Sequence, residues 1–173
     1  MYWYILYVRT GQEQRVERLI KETLDTDMFM PFIPIEERIY KIGRKIKKEL
    51  KPLFPSYVFI ESDLSGEEFV ILTKQIISSS PNIVRVLKYS DIEIALRESE
   101  KLMLLSLCND NYCVESSSGI IEGDKIIITG GPLRGRESII KKVNRHKRQA
   151  IIEIEFMGNI QQVSVSLEIV EKF

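Results

Sequence analysis

Lys51-Pro52-Leu53-Phe54-Pro55-Ser56-Tyr57-Val58-Phe59-Ile60-Glu61 constrains the architecture more tightly than its neighbours do. Pro52 and Pro55 bracket Leu53 and Phe54, so no helix runs through that pair. A strand is expected directly afterwards, with Tyr57 and Phe59 on one face and Val58 and Ile60 on the other. Both sets are apolar, which predicts a central strand covered on both sides. A basic run precedes it: Lys41, Arg44, Lys45, Lys47, Lys48 and Lys51. A charged loop therefore delivers the chain into a stiff aromatic strand.

Working outward, Trp3 to Val8 alternates and is rich in aromatic and β-branched types, the pattern of a strand. From Gln12 to about Leu24, Val16, Leu19, Ile20 and Leu24 recur at helical spacing, with charges on the opposite side. Thr10 and Glu13 fit a capping box at its start. Met28 to Ile35 contains Pro31 and Pro34 and is expected to be extended but edge-like. Ile39 to Lys51 is expected to form a hairpin arm. A second helix follows the turn at Ser62–Gly66, then a strand over Ile83–Tyr89 and a third helix over about Ala95–Leu107. This order predicts an α/β sandwich with a mostly antiparallel sheet over residues 1–107.

Residues 108–118 lack periodicity and are rich in Asn, Asp and Ser, which predicts a flexible linker. Beyond it the chain reads as all-β, with expected strands at 124–129, 137–143, 149–156, 161–165 and 169–171. Five short strands joined by tight turns imply a small barrel over residues 119–173. The fold class is thus α+β.

The chain of 173 residues carries 25 basic and 25 acidic side chains, so no global field draws in polyanions. Any nucleic-acid site must be a local patch. No apolar run approaches the roughly 20 residues of a membrane span, and the N-terminus lacks the basic start of a signal peptide. A cytoplasmic protein without membrane contact is expected, with Cys108 and Cys113 as free thiols. Two thiols cannot close a zinc site unaided, so no metal or other cofactor is expected. The single histidine, His146, has no nucleophile arranged beside it, and Gly130-Gly131-Pro132-Leu133-Arg134-Gly135 lacks the Lys-Ser/Thr ending of a phosphate loop. Hence no catalytic residue is expected, and the chain reads as a non-enzyme.

Charge is distributed more tellingly. Residues 1–117 hold 16 Lys/Arg against 18 Asp/Glu, and residues 118–173 hold 9 against 7. Within the second stretch Arg134, Arg136, Lys141, Lys142, Arg145, Lys147 and Arg148 bunch together, with His146 among them and Glu137 the sole acid from 134 to 148. Arginines engage phosphates and guanine edges in bidentate fashion, so these residues are the candidate RNA-binding set.

The residues resemble the NusG family of transcription elongation factors over nearly the whole chain. Trp3-Tyr4-Ile5-Leu6-Tyr7-Val8 with Gly11-Gln12-Glu13 is similar to the opening strand and helix of the family's N-terminal (NGN) domain. Leu53-Phe54-Pro55-Ser56-Tyr57-Val58-Phe59 is similar to its central Phe-Pro-x-Tyr strand. Pro81-Asn82-Ile83-Val84 matches its Pro-Gly-Val segment, with Asn82 where glycine is usual. Gly123-Asp124-Lys125-Ile126 through Gly131-Pro132-Leu133-Arg134-Gly135 resembles the KOW motif of the C-terminal SH3-like barrel. The resemblance implies an NGN domain that clips an apolar surface onto the clamp helices of RNA polymerase and suppresses pausing. Carried onto this chain, that surface is Tyr7, Phe54, Pro55, Tyr57, Phe59, Ile83 and Val86. It also implies that Arg15 could meet non-template DNA, with Arg44, Lys45, Lys47 and Lys48 as further nucleic-acid candidates. Gln12-Glu13-Gln14-Arg15 and Pro52-Leu53-Phe54-Pro55 look closer to the specialised RfaH and LoaP branches. The basic barrel is most like LoaP, which implies a monomeric processive antiterminator that recognises an RNA hairpin in a nascent leader. Two alternatives stay open: a general NusG whose barrel binds ribosomal protein S10 or Rho through Phe156, Met157, Gly158 and Ile160, and a ribosome-type structural RNA-binding protein.

Overall fold

The computed structural model describes residues 1–173. It contains three α-helices and twelve strands. Internal contacts divide the chain into two compact units, one of Met1–Ile33 with Phe54–Lys101 and one of Pro34–Leu53 with Leu102–Phe173. The expected division at residue 107 follows chain order, whereas these units follow spatial contact.

The first unit is built on β1 (Tyr2–Val8), α1 (Glu13–Thr23), β2 (Met30–Phe32), β5 (Tyr57–Ser62), α2 (Gly66–Ser79) and β6 (Ile83–Val86). Its sheet is antiparallel, in the order β2-β5-β1-β6. The Pro55-flanked strand β5 is central, and proline-containing β2 occupies an edge, where a missing ladder donor is tolerated. One sheet face buries Tyr4, Leu6, Val8, Val58 and Ile60 against Val16 and Ile20 of α1 and Phe69 and Ile76 of α2. Tyr4 stacks on Phe69 with centroids 3.9 Å apart. The other face carries a second cluster, in which Trp3, Phe32, Phe54 and Phe59 lie with centroids 5.0 to 6.0 Å apart.

The expected Thr10/Glu13 capping box is not formed. Gln12 is the N-cap of α1 and makes no side-chain cap bond. The buried Glu13 carboxylate instead accepts from the Ser56 N–H at 2.7 Å and the Gly11 N–H at 3.2 Å. It ties the helix start to the turn before β5, where Ser56 sits at φ +76°. The reciprocal box appears at α2: the Ser65 hydroxyl accepts from Glu68 N–H at 3.3 Å, and the Glu68 carboxylate accepts from Ser65 N–H at 2.9 Å.

The second unit opens with the hairpin β3 (Ile35–Ile42) and β4 (Lys45–Pro52), in register from Ile35↔Pro52 to Ile42↔Lys45. Gly43, at φ +61°, takes the first loop position, which glycine enters without strain. The stretch 108–118, expected as a linker, is instead ordered by its own side chains. Asn109 accepts through Oδ1 from the N–H groups of Asn111 and Cys113, and β7 (Cys113–Val114) pairs in parallel with Ile35 and Glu36. The polar composition that reads as a tether supplies a turn.

The last five strands are β8 (Ser117–Glu122), β9 (Lys125–Gly130), β10 (Ile140–Asn144), β11 (Gln149–Phe156) and β12 (Asn159–Lys172), in the order β10-β11-β12-β8-β9. Two expected strands at 161–165 and 169–171 prove to be the single strand β12. It pairs with β11 through Ser166 and with β8 from Leu167 onward. The change of partner, not a break in the chain, is the corner on which this sheet curls. The expected strand 137–143 begins with a 3-10 turn at Glu137–Ile139. Glu137 accepts from the Ile128 N–H of β9 at 3.0 Å, which holds its carboxyl below the usual range. The interior is filled by Ile128, Leu133, Ala150, Ile152, Ile154, Phe156, Val163, Val165 and Leu167. No helix of the protein is long and apolar enough to cross a membrane.

Gly131, at φ +90°, lies where an added Cβ would stand 2.5 Å from the Ser117 Cα. Gly131→Ala is therefore expected to destabilise the fold by more than about 1 kcal/mol, read as a lower denaturant midpoint with unchanged slope. Wild-type stability would contradict this tight approach.

Candidate functional site

Two surfaces carry the candidate residues. On the first unit, β1 and β5 bring Tyr7 and Tyr57 opposite each other with ring centroids 5.8 Å apart. Both are half-buried, and Pro55 beside them is exposed. Arg85 of β6 is the register partner of Tyr7, and its guanidinium lies 5.4 Å from the Tyr7 ring centroid. The result is an aromatic pair with a cation at its rim, a type of anchor common at protein interfaces.

Other members of the expected apolar surface are not available to a partner. Phe54 and Phe59 are 1% and 0% exposed within the aromatic cluster, and Ile83 belongs to the helix-side core. Alternation assigns Phe59 to the same sheet face as Tyr57, but only packing decides which of the two reaches solvent. Val86, the register partner of Leu6, is half-buried against the helix-side core and so lies on the sheet face opposite Tyr7.

The basic residues of the second unit take several positions. Arg145, His146 and Lys147 form the exposed turn between β10 and β11, and Asn144 Oδ1 accepts from the Lys147 N–H at 3.0 Å. Arg148 closes this turn at φ +51° and lies 3.8 Å from Glu168. Lys141 and Lys142 are exposed on edge strand β10, and Lys141 is 3.9 Å from Glu153. Arg134 is exposed in the β9–β10 loop. Arg136 is half-buried with a guanidinium nitrogen 3.4 Å from the Met103 sulfur, so it is partly occupied within the fold. The Glu137 carboxylate accepts from the Ile128 N–H, which fixes its position and favours its ionised form, so it remains the one negative charge in this stretch.

The hairpin tip residues Arg44, Lys45, Lys47 and Lys48 are all exposed, with Lys48 3.5 Å from Glu37. On the opposite hairpin face Tyr40 pairs with Lys47 across the strands, and the Lys51 ammonium sits 5.7 Å from the Tyr40 ring centroid. Arg15 is exposed on α1, beside Gln12, and borders a cavity of about 570 Å³ between α1 and the end of α2. A groove of about 390 Å³ lies between β3 and the β10–β11 turn, bordered by Arg38, Tyr40, Lys41, Lys147, Arg148 and Gln149 among others. Arg38, Tyr40 and Gln149 carry no motif, and about a hundred residues separate the two walls, so only the folded chain reveals their proximity. Phe156, expected at a protein-binding turn, is buried, whereas Ile160 is 65% exposed.

These placements predict a clear split in stability. Phe59→Ala is expected to cost about 3–5 kcal/mol as a fully buried aromatic, and Tyr57→Ala distinctly less. Equal losses in denaturant titrations would refute the assignment of Phe59 to the core and Tyr57 to the surface.

A family model described as "Transcription termination factor nusG" matches residues 1–105. A transcription termination/antitermination protein NusG of Thermus thermophilus is 24% identical over 98% of this chain and 97% of its own length. The NusG proteins of Rickettsia bellii and Helicobacter pylori are 21% and 22% identical, over 98% and 99% of this chain and 89% and 98% of their own lengths.

Proposed function

The chain belongs to the NusG family, and from that premise we propose that it is a non-enzymatic processive antitermination factor that rides on RNA polymerase and grips a structured leader RNA. In this reading residues 1–107 act as the polymerase-binding part. The docking surface is Tyr7, Pro55 and Tyr57, against the clamp helices. Buried aromatic anchors at interface hot spots are worth about 2 kcal/mol or more each. Residues 119–173 act as the RNA-binding part, and Arg145, His146 and Lys147 are its leading contacts. Arg15 and the hairpin tip are available to non-template DNA.

The observation that carries the RNA assignment is the acid-poor, exposed β10–β11 turn on an otherwise neutral chain. A general elongation factor whose barrel binds a protein partner is the second reading, favoured by the exposed Ile160 beside Gly158.

One measurement tests the docking surface common to both readings, and a second separates them. Tyr7→Ala with Tyr57→Ala is expected to abolish co-purification with core RNA polymerase while leaving the folded state intact; retained binding removes the docking surface. Charge reversal of Arg145 and Lys147 together is expected to abolish binding to leader stem–loops, whose affinity should fall steeply with salt because neutralised phosphates release counterions. Unchanged RNA affinity, with loss of protein capture on Ile160→Glu, favours the second reading.

A further inference from the structure

We propose that the β3–β4 hairpin and the β10–β11 turn are two walls of one RNA-binding groove, and that the groove holds the sugar-phosphate backbone of a stem. The proposal rests on the RNA-binding reading of the barrel and extends it to a segment that the sequence assigns elsewhere.

Both walls belong to the same compact unit, so their juxtaposition is internal to it. The hairpin is held there by a backbone contact: the Ile39 N–H donates to the hydroxyl of buried Ser166 on β12 at 3.3 Å. Ser166 in turn is the register partner of Gln149 at the end of the β10–β11 turn. The chain of contacts from β3 through β12 to β11 sets the spacing of the walls.

The lining decides the occupant. Lys41 and Lys147 contribute cations, Arg38 and Arg148 contribute cations paired outside the groove with Glu36 and Glu168, His146, Tyr40 and Gln149 contribute polar groups, Ile39 and Ile42 complete the lining, and no carboxylate borders the groove. The groove on the opposite side of the same turn differs, because Glu168 lies in it beside Arg145 and Arg148. The two grooves share His146 and Arg148, so the turn forms a ridge with an acid-free channel on the hairpin side only. A polyanion gains most in that channel. Hydroxyl, amide and imidazole groups between the cations suit a ligand that offers hydroxyls between its phosphates, which is the chemistry of RNA and not of DNA. Phosphate contacts position a nucleic acid without reading its sequence, so a stem–loop of arbitrary sequence is an adequate probe at moderate salt.

The test uses the full chain and a labelled stem–loop RNA, with the same sequence as DNA for comparison. Lys41→Gln and Lys147→Gln replace exposed side chains and leave the fold intact. Each is expected to weaken RNA binding about tenfold and to lower the slope of log affinity against log salt by about one. If Lys147→Gln has this effect and Lys41→Gln has none, the barrel binds RNA alone and the shared groove is wrong. If neither has an effect, the RNA-binding reading falls with it. If the DNA stem binds as tightly as the RNA stem, the assignment of RNA as occupant is overturned.

Discussion

The hydrogen bond from the Leu53 N–H to the Pro34 carbonyl, 2.8 Å long, closes the base of the β3–β4 hairpin at the two residues where the chain leaves the first unit and returns to it. Pro34 and Pro52 flank the pinch, and neither can continue a helix or supply a ladder donor. Upstream of it the chain has just completed edge strand β2, and downstream Phe54 turns into central strand β5. Between these points the hairpin runs as a separate sheet with β7. A chain that passed straight from β2 to β5 would need only a short loop. The inserted 20 residues, Pro34–Leu53, are therefore free to serve the second unit.

Electrostatics gives that insertion its value. The chain is neutral as a whole, so charge matters only where acids are occupied or absent. Glu36 is paired with Arg38, whereas Glu13 and Glu137 are held in place by backbone amides and keep their charge away from the groove. Others lie beside cations on the surface, as Glu37 does beside Lys48 and Glu153 beside Lys141. Exposed pairs of this type contribute roughly 0–1 kcal/mol to stability, but they mark which lysines are already partnered. Lys41 and Lys147 are among the cations that remain uncompensated around the groove. Fields in solution are screened beyond about 8 Å at physiological salt, so a local gap in acid coverage outweighs the net charge of the chain.

Much of this architecture was legible because local patterns and tertiary structure agree. The alternation of Trp3–Val8 and Tyr57–Ile60, the helical spacing of Val16 and Ile20, and the proline logic of Met30–Phe32 all reappear as elements in the expected places. Errors arose where one local signal admits two uses. Glu13 three residues after Thr10 reads as a capping box, yet the carboxylate reaches across 43 positions to Ser56. Asn109 reads as linker composition, yet its side chain builds a turn. Strand alternation states that Tyr57 and Phe59 share a face but not where that face ends, so core and surface were merged. The groove was illegible for a simpler reason: no local rule relates Tyr40 to Gln149.

Buried Glu36 and half-buried Arg38 tie the register of the hairpin to the groove. Glu36 Oε2 and Arg38 Nε are both buried without a hydrogen-bond partner, and burial pushes the Glu36 carboxyl up although Arg38 opposes the shift. Such a pair adds little stability, because desolvating two charges offsets most of their attraction. Its effect is on alternatives. A slip of β3 by one residue would turn Glu36 and Arg38 together to the other face of the hairpin, along with every side chain of the strand. The same slip would turn Tyr40 away from Lys51. The register that places Arg38 beside Glu36 is thus the one that sets Arg38 and Tyr40 on the rim of the groove, and an electrostatic cost inside the fold is tied to a cationic edge outside it.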